Sequence, residues 1–539
     1  MKKLYLSAMA ILLLLLMACS GIEPKEVKDP EDDNFNQTGM PIVDDPITIE
    51  FMTGRSSLTA NDYNDVFIWK EYEDMTNVHI DWGLTPNEEL DTKILLDLVT
   101  DEYPEAFYAT GLPVASIFEY GQHGVILKLN DFIDDYMPNL KALLEEYPDI
   151  KKGLTFPDGG IYSLPTINDP EFASLLSNVK PYIRQSWLEQ LGMKMPETTD
   201  DYYAYLKAVK EEDLLGDGEG HEIPFGSLNM DDLYNYLKGS FGVGNRGSNH
   251  DHLDIDPETD ELRFYPATEE YRQLIEYMHK LYDEGLIDDK IYTMDDNELA
   301  NKGQAGLYGS TLISNANSRF GFEDEYVGMP ALEGPNGDKN WSYIKSPLSN
   351  MSGFMLTDRN ENIAATLRWM DYFYSDEGAE FFFMGIEGET FEIDENGEHK
   401  YVDALISDPG EMSIDHSLTP YFTHIGGGYP GYIKEDYFTG DAKLPSSVEA
   451  TEKLEPDMID EVWPSFTYTN DELNELSVTQ LDIQKYVDEM RAKFIVGQES
   501  MDEWDQYVSD LEEMGLADYM KVQEQAYERY KNETYVDNE

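Results

Sequence analysis

An α/β fold with largely parallel sheets is what this 539-residue chain predicts, and three observations carry the reading. From Ile47 onward, short apolar runs of strand character alternate with amphipathic helical stretches, the pattern of strands joined by crossover helices. Apolar residues make up 41% of the chain and aromatic residues 12%, enough for a large core or two. Cys19 is the only cysteine, so no internal disulfide is available and packing and hydrogen bonds must hold the fold.

The chain starts with Lys2 and Lys3, an unbroken apolar run from Ile11 to Met17, and small Ala18 ahead of Cys19. A membrane span needs about 20 apolar residues, so this shorter run reads as the core of a signal peptide. Leu16-Met17-Ala18-Cys19 resembles the lipobox of bacterial lipoproteins, in which the signal is cut before the cysteine and that residue then carries diacylglycerol and palmitate. The competing reading is an ordinary secretory signal with Cys19 incidental, but a lone thiol in an exported chain needs a reason. Residues Gly21 to Asp45 are rich in Glu, Asp, Pro and Asn without apolar periodicity. Such a stretch cannot offset the entropy of ordering, and it reads as a tether.

Ile47, Ile49 and Phe51 alternate with Thr48 and Glu50 as in a half-buried strand. A helix capped by Asn61 or Asp62 follows, with Tyr63, Val66, Phe67 and Met75 near its buried face. Val78 to Trp82 is a second strand, and Asn87 to Thr100 a helix with Leu90, Ile94, Leu95 and Leu98 on one side. Ala106 to Thr110 is a third short strand. Ligands of such sheets gather beyond the carboxyl ends of the strands, which makes Arg55, Tyr108 and Thr110 candidates to line a cleft. Thr198 and Asp201 cap a helix reaching Val209, and Thr268 starts another, with Tyr271, Leu274, Ile275 and Met278 on one face, that ends at Gly285. Near the C-terminus, Ile483, Tyr486, Val487, Met490 and Phe494 follow helical spacing up to Gly497. Ser500 and Glu503 then open a helix that Gly515 ends.

With 109 carboxylates against 38 Lys and Arg, the formal charge is -71. Such a field repels phosphate backbones and argues against nucleic acid as a partner. It repels anionic lipid headgroups as well, so a covalent lipid would be the way to stay at a membrane.

Five stretches extend this reading: Asp158-Gly-Gly-Ile-Tyr-Ser-Leu-Pro165, Ile183-Arg-Gln-Ser-Trp-Leu-Glu-Gln-Leu-Gly192, Leu281-Tyr-Asp-Glu-Gly-Leu-Ile287, Gly385-Ile-Glu-Gly-Glu-Thr-Phe391 and Gln523-Glu-Gln-Ala-Tyr-Glu-Arg-Tyr530. With the lipobox they resemble, from end to end, the extracellular solute-binding proteins of family 1, in the lipoprotein branch linked to oligosaccharide uptake by ABC importers. Family members usually carry Lys-Asp where Gln185-Ser186 stands and Pro-Asp where Pro104-Glu105 stands. The resemblance implies a two-lobed periplasmic-binding-protein-like fold of type II, with discontinuous lobes, a hinge and C-terminal helices. It divides the chain into a signal peptide at 1–18, a disordered tether at 19–45, an N-terminal lobe from 46–168 and 325–400, and a C-terminal lobe from 169–324 and 401–539. It further implies a monomer on the extracellular face of the cell membrane that passes an oligosaccharide to permease subunits.

Sugar binding needs flat apolar faces and a few fixed polar groups. Outside the apparent core helices the candidate aromatics are Trp82, Trp187, Trp341, Tyr343, Tyr429, Tyr432 and Trp463, with Arg184 as a fork for a uronate or a pair of hydroxyls. The loop from Asp213 to Glu222 has the alternating acids and glycine turn that suit calcium. Carried over from similar loops of the family, Asp213, Asp217, the Glu219 carbonyl and Glu222 would be ligands, while Leu215 and His221 replace two oxygens and predict a weak structural Ca2+ site. A glycine-rich acidic turn without an ion is the alternative. Gly242-Val-Gly-Asn-Arg-Gly247 matches a dinucleotide fingerprint by letters but lacks the leading strand and following helix, so it reads as a loop. His250-Asp-His252 could bind a transition metal, but a surface pair among acids reads first as solvated. No catalytic motif is present, and the expectation is a receptor rather than an enzyme. The alternatives are a surface-anchored glycosidase, which two carboxylates across a cleft would satisfy, and a receptor for a peptide or other small molecule.

Overall fold

Ile49 turns inward while Thr48 and Glu50 face solvent, and from Phe51 to Thr53 the same strand becomes buried on both faces. The reason is its place in the sheet, between two parallel neighbours. The computed structural model describes residues 34–57, 59–218, 220–406, 417–424 and 429–536. Cys19, the tether up to residue 33, Glu219 and Gly426 to Gly428 lie outside the described residues.

In chain order the strands are β1 Ile47–Arg55, β2 Val78–Pro86, β3 Ala106–Tyr108, β4 Leu164–Asn168, β5 Lys180–Arg184, β6 Ile223–Ser227, β7 Leu253–Ile255 and β8 Leu262–Phe264. They continue with β9 Tyr308–Ile313, β10 Tyr326–Gly328, β11 Leu348–Leu356, β12 Phe391–Ile393, β13 His399–Tyr401 and β14 Gly431–Ile433. Six form one sheet in the order β14-β4-β11-β3-β1-β2, and four form another in the order β10-β5-β9-β6. β1, β2 and β3 run parallel, as the alternation of strands and helices predicts, while β11 runs antiparallel to β3 and β4. Each sheet has its own hydrophobic core, so the chain is two-lobed.

The lobe boundaries need two corrections. β10 was expected in the first lobe, but it pairs with β5 of the second sheet. β14 was expected in the second, but it pairs in parallel with β4 of the first. Both strands flank places where the chain crosses between lobes, and short edge strands carry no mark of the sheet they join. The tether is also shorter at its far end than expected. Ile42 and Val43 are buried, the Asn36 amide donates to Ile42, and the Arg368 guanidinium donates to the Asn36 and Gly39 carbonyls. Two adjacent apolar residues give no periodicity, which is why this latch reads as tether in the sequence.

The crossings are tied together. The Asn168 amide donates to Pro347 at 2.9 Å, Lys345 to Leu176 at 3.1 Å and Asp169 to Ile433 at 2.9 Å. Ser174 Oγ reaches the Ala442 carbonyl at 2.6 Å. At the start of β5, fully buried Lys180 donates to the carbonyls of Ser174 and Asn178 at 2.9 and 3.3 Å, and burial lowers its pKa to about 7.

The predicted helices are present. Asp62 caps a short 3-10 turn, Tyr63–Asp65, ahead of the helix Phe67–Thr76. Thr198 and Asp201 form a reciprocal capping box for the helix Thr199–Glu211, and Thr268 caps the helix Glu269–Asp283. The C-terminal helix is longer than its apolar stripe, spanning Asn470–Ile495. Ser500 caps a 3-10 turn, and past Gly515 a further helix, Leu516–Asn532, packs back against Asn470–Ile495. Leu95, expected inside, is half exposed.

Candidate functional site

β1 and β3 end side by side, and beyond their carboxyl ends lies a pocket of about 350 Å3. Thr53 and Gly54 from β1, Tyr108 at the end of β3 with Ala109 to Gly111 just beyond it, and Asn87 and Asp91 from the helix Asn87–Thr100 line it. This is where an open parallel sheet offers a crevice, because the helices that cover its faces turn away there. Gly54 permits the close fit: a Cβ on it would lie 2.4 Å from Asn87 Oδ1. Ala109 sits at φ 49°, a left-handed conformation that costs a non-glycine residue about 1 kcal/mol, and its amide donates to the Gly353 carbonyl at 2.6 Å. Backbone strain of this kind gathers where the surrounding structure holds it in place.

The Tyr108 ring belongs to the core of the first lobe. It meets Trp82 edge-on at 5.4 Å and Trp69 at 6.3 Å between ring centroids, in a cluster that also holds Phe51 and Trp369. Its hydroxyl and that of Thr110 are buried and make no hydrogen bond to any described protein group. Burial pushes the Tyr108 phenol up, so it stays a neutral donor at physiological pH.

Of the residues singled out in the sequence, Tyr108 and Thr110 line this pocket. Arg55 stands between the lining residues Gly54 and Ser56, with its guanidinium on Asn61 Oδ1 at 3.1 Å. The others are placed differently. Trp82, Trp187, Trp341 and Trp463 are buried in the cores, Trp341 donating from Nε1 to Ser177 at 2.8 Å and Trp463 to Glu461 at 3.0 Å. Tyr429 is stacked on Phe382 at 3.9 Å and donates to the Phe373 carbonyl, and Tyr432 is buried on edge strand β14. Tyr343 donates to Asp232 at 3.1 Å. Arg184 binds Glu325 and the Gly306 carbonyl, both at 2.5 Å, over the face of Trp187, so its fork is taken up within the second lobe. Large rings were expected at the cleft on their chemistry, but the same chemistry makes them core residues. Thr53, Asn87 and Asp91 were missed. The rule that picked Tyr108 and Thr110 would have found the last two, since they follow the carboxyl end of β2 one helical turn apart.

His252 is buried and His250 half-buried, not a solvated surface pair: His250 packs on Phe466 at 4.2 Å and its Nε2 meets the Pro464 carbonyl at 2.9 Å. Gly242 to Gly247 is a loop, as expected. In the acidic loop, Asp213 accepts from the Gly218 amide at 3.2 Å, Glu222 from Leu215 at 2.8 Å, and Asp217 meets His221 at 3.0 Å. Among the described residues no three His, Cys, Asp or Glu side chains gather as an ion-holding group.

Residues 56–380 match the family described as bacterial extracellular solute-binding protein. The chain belongs to that family. The fructooligosaccharide ABC transporter substrate-binding protein FusA of Streptococcus pneumoniae is 29% identical over 505 residues, 90% of each chain. A solved structure of FusA in complex with kestose superposes with a TM-score of 0.72, covering 90% of this chain and 100% of that one. The polygalacturonan/rhamnogalacturonan-binding protein YtcQ of Bacillus subtilis is 23% identical over 472 residues, 86% of this chain and 88% of its own. Lipoprotein LipO of Bacillus subtilis is 27% identical over 350 residues, 60% of this chain and 64% of its own. Within this solute-binding protein no helix of the described residues is long and apolar enough to cross a membrane.

Proposed function

We propose that this solute-binding protein captures an oligosaccharide between its lobes and delivers it to an ABC permease, working as a monomer held to the outer face of the cell membrane by a lipid on Cys19. The pocket beyond β1 and β3 carries the reading: it offers hydroxyl, amide and carboxylate groups together beyond the carboxyl ends of parallel strands. FusA, whose structure is described in complex with kestose, supports a carbohydrate as the ligand. The name of LipO and the Leu16-Met17-Ala18-Cys19 sequence support the anchor. Binding and release need no bond to break, so the protein acts as a receptor and not as an enzyme.

A thermal-shift screen over oligosaccharides is the test. One sugar is expected to raise the melting temperature while staying intact, by the linkage of binding to folding. Release of reducing ends would overturn the receptor reading in favour of a glycosidase. Cys19→Ala is expected to release a soluble protein that still binds, and a variant that stayed at the membrane would overturn the anchor. The loop Asp213 to Glu222 is proposed as a weak calcium loop, since its carboxylates are the hard oxygens that ion takes. A melting temperature indifferent to both chelator and millimolar calcium would overturn it.

A further inference from the structure

The proposed function leaves open the charge of the sugar, and the relatives differ on it: fructooligosaccharides are neutral, whereas polygalacturonan is a polyanion. Three observations in the first-lobe pocket bear on the choice. First, Tyr108 and Thr110 each bury a hydroxyl with no partner among the described residues, 3% and 4% exposed as residues. Buried polar groups are nearly always paired in folded proteins, so two unpaired hydroxyls on one short segment mark a place where a ligand completes the pairing. Second, the strained backbone of Ala109 lies between them, and its amide bond to Gly353 holds the segment to the neighbouring strand β11. Third, the only charged residue among the described residues lining the pocket is Asp91.

The charges around the rim point the same way. Glu88 and Glu89 fill the first turn of the helix Asn87–Thr100, where its positive end would otherwise attract an anion. The Arg55 guanidinium is held by Asn61. We propose that this pocket is a subsite for one end of an uncharged oligosaccharide, whose hydroxyls pair with Tyr108 Oη and Thr110 Oγ1, and that Asp91 excludes uronates from it. A sugar hydroxyl both donates and accepts, so it satisfies a tyrosine or threonine hydroxyl and can donate to the Asp91 carboxylate as well. A uronate carboxylate brought to the same place meets a like charge.

This inference rests on the carbohydrate reading, and the experiment separates the two. Calorimetric titrations of the full chain would use neutral tri- and tetrasaccharides, kestose and nystose among them, and trigalacturonate. The wild type is expected to bind a neutral sugar and leave trigalacturonate unbound. Tyr108→Phe and Thr110→Val keep ring and volume while removing one hydroxyl each, and each is expected to weaken neutral-sugar binding about tenfold, the size of one hydrogen bond. In the unliganded state neither substitution removes a protein hydrogen bond, so melting temperatures should hold or rise. Asp91→Asn is expected to admit trigalacturonate. Equal or tighter binding of trigalacturonate by the wild type would overturn the proposal, as would hydroxyl variants that lose melting temperature but keep affinity. If no oligosaccharide of either charge binds, the carbohydrate reading falls with it.

Discussion

The two lobes finish their parallel strands in opposite ways. In the first, β3 runs out into Tyr108 and Thr110, whose hydroxyls are buried without partners among the described residues. In the second, β6 ends at Ser227, which donates toward Asp232 at 2.6 Å, while Tyr343 donates to the other carboxylate oxygen at 3.1 Å. Both ends put buried polar groups beside a strand terminus, but only the second closes its own network. An unpaired buried hydroxyl costs about 1–3 kcal/mol. The first lobe's strand end therefore carries a standing cost, whereas Ser227, Asp232 and Tyr343 pair with one another at the second's.

The largest expected effect concerns the junction between the lobes. Lys180 is hydrogen-bonded, yet its charge is costly there, and burial holds its pKa down to about 7 despite the favourable pull of Asp441. In the unfolded chain the amine keeps its proton to about pH 10.4. Between those values the unfolded state binds the extra proton, so stability rises with pH across that window. Below pH 7 the full cost of a buried cation applies. Lys180→Met is expected to raise stability by a few kcal/mol at pH 6, with the gain shrinking as pH climbs from 7 toward 10. Urea unfolding of both proteins at pH 6 and pH 9.5 would measure it. A gain independent of pH would mean that the amine is paired well enough to stay charged, and that the junction resembles the closed strand end of the second lobe.

Next in size is Tyr343→Phe. It strips one donor from buried Asp232, so it should cost about 1–2 kcal/mol of stability and leave sugar affinity unchanged. Tyr108→Phe makes the same chemical change in the other lobe with the reverse expectation. Paired melting curves and titrations of the two variants would break the contrast between the lobes if they responded alike.

Much of the fold was readable in the chain, because β1, β2 and the capped helices announce themselves by local pattern. The capping box at Thr198 and Asp201 needs only four residues to be recognised, and it forms as expected. The misplaced elements share a different property. β10 and β14 are three residues each, and which sheet receives them depends on partners more than a hundred residues away, Tyr182 to Arg184 and Thr166 to Asn168. The site divides in the same manner. Tyr108 and Thr110 follow from the strand-end rule, but the buried tryptophans do not, since a ring that suits a sugar also suits a core. Trp341 and Trp463 show it: both indoles are fully buried and both find hydrogen-bond acceptors within the protein. Which rings stay in the core and which line the pocket is decided by tertiary contacts that no local pattern carries.

The smallest expected effect is the most local one. At Gly54 an added Cβ would lie 2.4 Å from Asn87 Oδ1 and 2.9 Å from Leu90 Cδ2. Both atoms are the far ends of side chains, so Gly54→Ala can be accommodated by moving them, at a stability cost below about 1 kcal/mol. Asn87 and Leu90 both line the first-lobe pocket, however, and moving them changes its shape. A melting temperature within a degree or two of wild type, with sugar affinity reduced severalfold, is the expected result. Unchanged affinity would mean that the ligand does not touch the helix Asn87–Thr100, and the pocket's selectivity would then rest on Tyr108 and Thr110 without help from Asp91. The second lobe offers no equivalent at β6, where Ser227 and Asp232 are already locked to each other. A shift in affinity without a shift in stability is therefore a signature only the first lobe can give.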